Sequence, residues 1–456
     1  MAKATTSFRC AECGWTTAKW VGRCGECQAW GTVEEAGAPR TSTTKATATT
    51  SPAVPIGTID VTTATARSTG IPEFDRVLGG GFVPGAVLLL AGEPGVGKST
   101  LLLDVAHQWA SAGNTALYLT GEESAAQVRL RAERINALAD SLYLAAETDL
   151  GAALAHVSAV NPSLLIVDSV QTITSGEVDG AGGGVSQVKE VAASLIASAK
   201  SRNMTTVIVG HVTKDGSVAG PRALEHLVDV VLHFEGDRHG PLRLVRAVKN
   251  RYGPADEIGC FEISESGIKG LADPSGLFLG NRSNPASGTA VTVALEGRRP
   301  LIAEVQALIA PSNAPQPRRV TSGLDSARTA MLLGILERRA GVKTSAADCF
   351  VATVGGVKLN EPATDLATAL AIVSSVTDKP LPAHSIALGE LGLSGELRPI
   401  TSIERRLSEA ARLGFTSAIV PATEKSFTIP KGMKVHQART IAEAIAFTRN
   451  EPAPQF

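Results

Sequence analysis

The chain has 456 residues, and its 43 Lys and Arg residues against 44 Asp and Glu residues give a formal net charge of −1. The length predicts two or three domains at about 150 residues each, and the balanced charge argues against both a histone-like basic protein and an acidic solvating protein. A hydrophobic content of 44% argues against wholesale disorder, and an aromatic content of 4% argues against wide base-stacking platforms as the main device for binding single strands.

The N-terminus enters a cysteine-rich stretch without an apolar run, so no secretory signal is expected. No segment approaches the roughly 20 apolar residues that a membrane helix needs. We therefore expect a soluble, cytoplasmic protein, and the reducing cytosol disfavours disulfides.

Residues 1–35 predict a metal-binding finger. Two Cys-x-x-Cys pairs offer four thiolates to one tetrahedral ion, at Cys10, Cys13, Cys24 and Cys27. A segment this short has too small a core to fold alone, so zinc in a closed, structural site would supply folding free energy. The alternative is four unliganded cysteines with a coincidental spacing. The isolated Cys260 and Cys349 are expected to pack in the core.

Residues 36–56 are rich in Thr, Ala, Ser and Pro and predict a flexible linker. In residues 57–270, apolar runs alternate with helical patterns. Strands are predicted at 86–91, 115–120, 163–168 and 205–210, and helices at 99–112, 125–138 and 185–200. This alternation predicts an α/β domain whose parallel sheet is covered on both faces. Residues 228–234 and 242–248 have no helix between them and predict an antiparallel hairpin at the sheet edge.

The first predicted strand leads into a nucleotide-binding motif, which in turn opens the first helix. The pattern Gly-x-x-x-x-Gly-Lys-Ser/Thr is matched by Gly92, Glu93, Pro94, Gly95, Val96, Gly97, Lys98, Ser99 and Thr100. The glycines allow backbone N–H groups to wrap phosphates at a helix N-terminus. Lys98 is predicted to neutralise the β- and γ-phosphates of ATP, and Ser99 to offer its hydroxyl to Mg²⁺.

Three carboxylates follow strands predicted near this loop. Asp168 ends a buried strand, where it is expected to position Mg²⁺; the alternative is an ordinary residue capping a turn. Glu122 and Glu123 follow the strand at 115–120, and one of them, with Glu122 preferred, would polarise the attacking water. The alternative for these two is an acidic pair favoured by a helix N-terminus.

Two further segments carry a family resemblance. The run before the phosphate loop, Ser68-Thr69-Gly70-Ile71-Pro72-Glu73-Phe74-Asp75-Arg76-Val77-Leu78-Gly79-Gly80-Gly81, resembles the RecA, KaiC and DnaB class of ATPases. With the four-cysteine finger and the later run Lys249-Asn250-Arg251-Tyr252-Gly253, nearly the whole chain resembles the bacterial RadA family, also called Sms. That family carries Lys-Asn-Arg-Phe-Gly, so Tyr252 departs from its pattern by one hydroxyl group.

The resemblance implies a DNA-dependent ATPase of recombinational repair that is located at the nucleoid. It implies a homo-hexameric ring that uses ATP, Mg²⁺ and Zn²⁺ and drives branch migration on single-stranded DNA and branched recombination intermediates, with the recombinase RecA as a partner. Lys249 and Arg251 match residues that, in this class, reach the nucleotide of the next subunit and stabilise charge on its γ-phosphate. The alternative is a basic pair on an exposed strand end.

By similarity to RecA-type rings, two loops would face a central channel. One is the glycine-rich loop 175–184, and the other spans 211–222. Lys214 and Arg222 in the second loop are predicted phosphate contacts, and Thr213 is an alternative sensor of the γ-phosphate. Solvated loops without a DNA role are the alternative for both.

A Gly, Pro, Asn and Ser stretch near 271–290 predicts a boundary, and residues 271–456 predict a second α/β domain. This domain resembles the proteolytic domain of Lon, and the match places Ala363 at the catalytic serine position and Glu404 at the catalytic lysine position. A methyl group cannot attack a carbonyl, and a carboxylate cannot replace the activating lysine. Peptidase activity by that dyad is therefore excluded, and a Lon-like fold without its catalytic pair is expected.

Three arginine doublets in this domain predict a basic DNA-binding surface, with solvated faces as the alternative: Arg298, Arg299, Arg318, Arg319, Arg405 and Arg406. Two rival functions remain. An ATP-gated Lon-like protease would need the missing dyad. A KaiC-like regulatory ATPase is disfavoured by the finger and by the segment 249–253.

Overall fold

The structure is a computed structural model that describes residues 7–36, 53–211, 223–236, 240–279, 286–314 and 316–449. The chain divides into two compact units, Met1–Asp60 and Val61–Phe456. Among the described residues, no helix is both long and apolar enough to cross a membrane.

The first unit is built on a small antiparallel sheet. Its strands are β1 (Ser7–Cys10), β2 (Thr16–Thr17) and β3 (Val33–Ala36), with β1 in the middle. Its core holds Cys10, Cys24 and Val33, against which three partly buried side chains pack, namely Phe8, Trp15 and Val21. So small a core needs the additional stabilisation that a bound metal supplies.

The second unit contains a nine-stranded sheet. Its strands are β4 (Val87–Gly92), β5 (Ala116–Thr120), β6 (Leu142–Ala146), β7 (Leu164–Asp168), β8 (Thr205–His211), β9 (Val230–Gly236), β10 (Leu242–Asn250), β11 (Ile258–Ser264) and β12 (Gly267–Gly270). The order is β12-β11-β10-β9-β4-β8-β7-β5-β6. The six strands from β9 to β6 pair in parallel, and β10, β11 and β12 extend the sheet in antiparallel fashion. The prediction of a parallel sheet with an antiparallel hairpin is confirmed, but the placement of that hairpin at the sheet edge is wrong, because β11 and β12 pair beyond β10 and β12 forms the edge.

Helices cover both faces of this sheet. They are α1 (Pro72–Leu78), α2 (Lys98–Ser111), α3 (Ala125–Arg134), α4 (Leu150–Val160) and α5 (Val185–Arg202). Alternate residues of β4 face opposite ways, so Leu88 and Leu90 pack with α1, α2 and α3, whereas Val87 and Leu89 pack with α4 and α5. This two-sided burial explains the continuous apolar run of the strand. The sequence patterns left β6 and α4 unassigned, and β6 is a half-exposed edge strand with a weak apolar signal.

The C-terminal part has two further main sheets. One consists of β13 (Thr289–Glu296), β14 (Arg299–Pro311), β15 (Arg319–Ser322) and β16 (Ala347–Thr353); the other of β17 (Ser385–Ala387), β20 (Ser417–Pro421) and β21 (Lys434–Ala438), with a separate short pair β18 (Glu390–Leu391) and β19 (Leu397–Arg398). The helices are α6 (Ser275–Phe278), α7 (Ser326–Ala340), α8 (Asp365–Thr377), α9 (Ile403–Arg412) and α10 (Ile441–Arg449). Helix α8 is buried along most of its length. Because this part contains both sheets and helices, the predicted second α/β fold is confirmed.

A buried ion pair joins this part to the nine-stranded sheet. The Arg299 guanidinium, at the start of β14, contacts the Glu73 carboxylate of α1, and the side chains are 6% and 5% exposed. Arg299 Nη2 also donates to the carbonyl oxygens of Leu271 at 3.0 Å and Ala272 at 2.8 Å. The same oxygen that contacts Arg299, Oε2 of Glu73, also accepts a hydrogen bond from the backbone N–H of Cys260 at 3.0 Å.

For two of the six arginines, the prediction of DNA binding is therefore wrong. Arg299 forms the buried ion pair just described. Arg406 is 1% exposed and donates two hydrogen bonds to Glu361, at 2.5 and 2.8 Å. An arginine buried against a carboxylate cannot reach a phosphate, and removing either partner would leave the other as an uncompensated buried charge. The other four arginines are exposed, namely Arg298, Arg318, Arg319 and Arg405.

Candidate nucleotide site and metal centre

The phosphate loop connects β4 to α2 at the carboxyl edge of the sheet. Helix α2 begins at Lys98, and the preceding Gly97 has a φ of +109°, while Gly95 has a φ of +80°. Both values lie in the left-handed region that favours glycine. The loop thus turns sharply, and the first N–H groups of a 14-residue helix stand unpaired at its end, where an anion is favoured.

Lys98 lies folded over this loop. Its side chain is 3% exposed, and Nζ donates to the carbonyl oxygens of Gly92 and Glu93, each at 2.9 Å. Burial lowers the pKa of Lys98, and the nearby carboxylates of Asp168 and Glu122 oppose that effect. The ammonium group therefore shares one site with the two acids that follow β7 and β5.

Asp168 is the last residue of β7 and is buried. The hydroxyl of Tyr118 donates to its Oδ2 at 2.6 Å, whereas its Oδ1 is buried without a hydrogen-bond partner among the described residues. Burial and the Asp168 charge raise the pKa of Tyr118 well above its ordinary value, so the hydroxyl keeps its proton. Oδ1 of Asp168 is therefore available as a ligand for a magnesium ion, alongside the hydroxyl of Ser99.

Glu122 lies between the ends of three strands. Ser169 Oγ donates to its Oε1 at 2.6 Å, and His211 Nε2 lies 2.9 Å from the same oxygen. The contact with His211, together with Ser169, lowers the pKa of Glu122 from 4.5 to about 2, despite a burial effect that raises it. At neutral pH this group is a carboxylate aimed at the site, as a residue that activates water must be.

Glu123 faces a different partner. Its carboxylate forms an ion pair with Arg131 of α3, and its backbone N–H donates to Thr120 Oγ1 at 3.1 Å. The geometry therefore favours Glu122 over its neighbour as the group that polarises water. Glu123 instead fixes the start of α3 to the end of β5.

Three residues at this site escaped the sequence reasoning as functional groups, namely Tyr118, Ser169 and His211. Ser169 and His211 stand at the carboxyl ends of predicted strands and Tyr118 lies within one, and each contacts an acid of the site. A polar side chain at such a strand end was the available signal. It was weak, because the order β4-β8-β7-β5 that brings these strand ends together is a tertiary property.

Lys249 and Arg251 lie at the opposite edge of the sheet. Arg251 N–H donates to the carbonyl oxygen of Asp229 at 3.3 Å, and Asp229 Oδ2 accepts from the N–H of Val87, the first residue of β4. Lys249 Nζ donates to the carbonyl oxygens of Glu225 and Val228, at 2.8 and 2.7 Å. The phosphate loop follows the last residue of β4, roughly 17 Å away at about 3.3 Å per residue.

The segment around these two residues is anchored to α1. Asn250 Nδ2 donates to the carbonyl oxygen of Leu78 at 3.0 Å. A Cβ on Gly253 would lie 3.0 Å from the Cα of Gly79 and 2.9 Å from Asn250 Nδ2. The segment therefore needs a glycine at this close backbone approach, and it holds the Arg251 side chain 58% exposed at the surface.

The glycine-rich loop 175–184 is tied to the start of α5. Gln187 is 3% exposed, accepts from the N–H of Ser175 at 2.8 Å and donates to the Ser175 carbonyl oxygen at 3.1 Å. Its amide also contacts the carbonyl oxygen of Val178. The predicted contacts Thr213, Lys214 and Arg222 of the second loop lie outside the described residues.

The four cysteines converge in the first unit. Their sulfur atoms all lie within 4.8 Å of one another, with Cys10 Sγ 3.7 Å from Cys27 Sγ and Cys13 Sγ 3.5 Å from Cys24 Sγ. A zinc ion with four Zn–S bonds of about 2.3 Å requires sulfur separations of about 3.8 Å. The Thr32 hydroxyl lies 3.3 Å from Cys10 Sγ and lowers the pKa of that thiol to about 6, which favours the thiolate. The donor set and spacing fit a four-cysteine zinc site.

The residues at the two Lon positions carry no catalytic pair. Ala363 is 6% exposed at the start of the segment before α8. Glu404, on α9, accepts from the N–H of Thr428 at 2.6 Å, and this contact lowers the pKa of Glu404. Ala363 offers a methyl group where the serine nucleophile would stand, and Glu404 offers a carboxylate where the lysine would stand, so these two positions cannot form the Lon dyad.

Three parts of the chain match known protein families. Residues 54–217 match the AAA domain, residues 8–35 the rubredoxin metal binding domain, and residues 349–424 subunit ChlI of Mg-chelatase. These matches agree with the α/β P-loop core, the four-cysteine ribbon and the C-terminal α/β domain of the ChlI and Lon type described above.

Full-length relatives are also similar. The DNA repair protein RadA of Mycobacterium tuberculosis is 52% identical over 98% of this chain and 94% of its own length. The RadA of Mycolicibacterium smegmatis is 54% identical over 98% and 97%, and that of Streptococcus pyogenes serotype M1 is 45% identical over 98% and 99%. A crystal structure of a KaiC-like protein from Pyrococcus horikoshii matches 46% of this chain and 99% of that chain, with 22% identity and a TM-score of 0.39.

Proposed function

Because the chain belongs to the RadA family of DNA repair proteins, we propose that it is a DNA-dependent ATPase motor that promotes branch migration of recombination intermediates. The observation that carries the proposal is the convergence of Lys98, Asp168 and Glu122 at one edge of the sheet. A cation for the phosphates, a ligand for the metal ion and an acid for water are the parts that phosphoryl transfer to water requires. The motor acts in the cytoplasm, at the nucleoid.

In the proposed reaction, the loop from Gly92 to Thr100 binds the phosphates of ATP through its N–H groups, and Lys98 exchanges its two loop carbonyls for phosphate oxygens. Ser99 and Asp168 would hold Mg²⁺, which would neutralise negative charge on the phosphates. Glu122 orients and deprotonates the attacking water. Ser169 and His211 are positioning residues, because both hold Oε1 of Glu122.

We propose that Lys249 and Arg251 act on the nucleotide of a neighbouring subunit in a homo-hexameric ring. Within one chain, the sheet separates them from the phosphate loop by the length of β4. Arg251 is 58% exposed and pairs with Asp229, and Lys249 donates to two loop carbonyl oxygens. In a ring, both side chains would exchange these partners for the phosphates of another chain's nucleotide. Such a finger stabilises charge on the γ-phosphate and makes hydrolysis depend on assembly.

DNA contacts are proposed for the remaining basic residues, namely Lys214, Arg222, Arg298, Arg318, Arg319 and Arg405, and a recombinase is the proposed partner. In the C-terminal domain the Lon-like fold then serves assembly and DNA contact, without peptidase activity. The zinc site is proposed to be structural and to hold the N-terminal ribbon together. Four cysteines would fill all four positions of the metal and leave none open for catalysis, namely Cys10, Cys13, Cys24 and Cys27.

The test measures ATP turnover with and without single-stranded DNA, and then strand exchange on a labelled three-strand branched intermediate. We expect DNA to stimulate turnover, Lys98→Ala to abolish it with the fold intact, and the parent protein to move the branch point only with hydrolysable ATP. Forked DNAs of both polarities, with and without recombinase, define the direction. Turnover that ignores DNA contradicts the proposal and favours a regulatory ATPase, and casein cleavage favours a protease.

A further inference from the structure

The zinc ribbon exposes two large aromatic side chains on one face. Trp20 is 63% exposed and Trp30 is 75% exposed, whereas the other described tryptophan of the ribbon, Trp15, is partly buried. Gly22 lies between the two indoles, since a Cβ placed on it would be 3.7 Å from Trp20 Cη2 and 3.8 Å from Trp30 Cζ3. Any larger residue at position 22 would enter the space that the two rings flank.

The pair is held in place rather than free. Trp20 Nε1 donates to the carbonyl oxygen of Val33 at 3.0 Å, which ties the ring to β3. The Arg23 guanidinium lies 5.8 Å from the centroid of the Trp30 ring, and Arg23 also donates to the carbonyl oxygen of Gln28 at 3.0 Å. Residues 22 and 23 immediately precede Cys24, and Arg23 pairs with Trp30 in an antiparallel bridge, so the segments that carry both rings adjoin the cysteine cluster.

We propose that Trp20 and Trp30 form a two-ring platform on which bases of single-stranded DNA stack, with Lys19 and Arg23 contacting the flanking phosphates. The proposal rests on the proposed DNA-dependent function and assigns part of its DNA binding to the ribbon. Exposed aromatic rings beside cations are the device by which proteins hold single strands without reading sequence. Arg23 lies over one face of the Trp30 indole, so a base would stack on the opposite face of that ring.

The composition of the face favours a nucleic acid over a protein partner. Among residues 7–36, the exposed large hydrophobic side chains are these two tryptophans, and no exposed aliphatic residue accompanies them. Neither Lys19 nor Arg23 forms an ion pair with a carboxylate among the described residues. Residues 7–36 hold three cations against four glutamates, so stacking must dominate over phosphate attraction and the ribbon's contribution should depend weakly on salt.

The test titrates the full-length zinc protein with a short thymidine oligonucleotide and follows affinity by anisotropy of a labelled strand and stacking by tryptophan fluorescence. The chain has four tryptophans, and Trp109 is 3% exposed in the ATPase core, so it supplies a constant background. Variants are Trp20→Ala, Trp30→Ala and the double variant, matched by Trp20→Phe and Trp30→Phe. Zinc content and turnover without DNA verify that each variant is folded.

We expect the parent fluorescence to be quenched on binding, and each alanine variant to bind about 5- to 150-fold more weakly, which is the effect of removing one stacked base. The phenylalanine variants should recover most of the affinity while losing the quench. The proposal is overturned if the double alanine variant binds within twofold of the parent, or if phenylalanine fails to restore binding. A parent that neither binds the oligonucleotide nor hydrolyses ATP faster with it would instead contradict the proposed function itself.

Discussion

His211 Nε2 lies 2.9 Å from Oε1 of Glu122, although the two residues are 89 positions apart in the chain. Glu122 follows β5 and His211 ends β8, and β7 runs between these strands in the sheet. The third group on the same oxygen, Ser169, follows β7. One carboxylate therefore joins the ends of three parallel strands beside the phosphate loop.

The first prediction concerns this contact. His211→Ala should raise the pKa of Glu122 from about 2 towards its ordinary value of 4.5 and lower kcat by about 10- to 100-fold at neutral pH, because the base stays ionised but loses its orientation. The KM for ATP should change little. His211→Gln, which keeps a donor, should retain more activity than the alanine variant.

The same lowered pKa sets the direction of a stability effect. A carboxylate stabilised in the folded state contributes fully above about pH 4.5, and the contribution is lost as the pH falls towards 2. Urea unfolding should therefore show the difference in the free energy of unfolding between the parent and His211→Ala shrinking as the pH falls from about 4.5 to about 2. A difference that stays constant over that interval would contradict the assignment of this contact.

The second prediction separates two adjacent acids. Glu122→Gln should lower kcat by about 10²- to 10⁴-fold, the range for loss of a general base, while ATP still binds. Glu123→Gln should reduce turnover less than tenfold, because its carboxylate pairs with Arg131 instead of facing the site. Single-turnover hydrolysis and binding of a fluorescent ATP analogue provide the readouts. Equal losses in the two variants would show that the ion pair with Arg131 opens during hydrolysis.

The third prediction tests action between subunits. Lys249→Ala and Arg251→Ala should each abolish most DNA-stimulated turnover, as should Lys98→Ala. Mixing a finger variant with Lys98→Ala should partly restore hydrolysis, because an intact site and an intact finger then meet at some interfaces. Mixing Lys98→Ala with Glu122→Gln is the control, since both lesions lie in one site. Turnover that stays at the level of the separate variants at every ratio would argue against the role in trans.

The fourth prediction concerns the metal. Cys24→Ser should abolish stoichiometric zinc and expose residues 7–36 to proteolysis, because the ribbon core contains few buried side chains besides its ligands. Turnover without DNA should persist, since the ATPase site lies in the other compact unit. Cys349→Ser is the matched control, because that buried cysteine stands outside the cluster. Zinc at full occupancy in Cys24→Ser would refute the assignment.

The fifth prediction concerns the buried pair between α1 and β14. Arg299→Ala should destabilise the second unit by about 3–5 kcal/mol, because Glu73 is left as an uncompensated buried charge. The double variant Glu73→Leu/Arg299→Met should recover much of that loss. Arg298→Ala, at the exposed neighbour, should change the free energy of unfolding by about 0.5 kcal/mol or less. Chemical denaturation of the four proteins supplies the comparison, and an equal effect at positions 298 and 299 would place the arginine at the surface.

Composition illustrates how an average conceals a local site. An aromatic content of 4% argued against a broad stacking surface, and that inference holds for the chain as a whole. Three of the four tryptophans nevertheless lie within the first 30 residues. Only the fold of the ribbon shows that Trp15 differs from the two exposed tryptophans. Trp15 packs against Gly25 so closely that a Cβ on that glycine would lie 2.8 Å from the indole ring.

The sequence by itself determined what depends on short spacing. The four-cysteine site, the phosphate loop and the strand ending at Asp168 each lie within 18 consecutive residues or fewer, so short sequence spacing suffices to predict their chemistry. The alternation of apolar runs also predicted the parallel sheet, because strands buried on both faces read as continuous apolar segments.

Only the tertiary structure decided which side chains share a site. It separated Glu122 from Glu123, added Tyr118, Ser169 and His211, and placed Lys249 and Arg251 at the far edge of the sheet. It also buried Arg299 and Arg406, which look like surface cations in sequence. The physical reason is that strand order and burial arise from contacts between residues far apart in the chain, and the spacing of neighbouring residues carries no record of them.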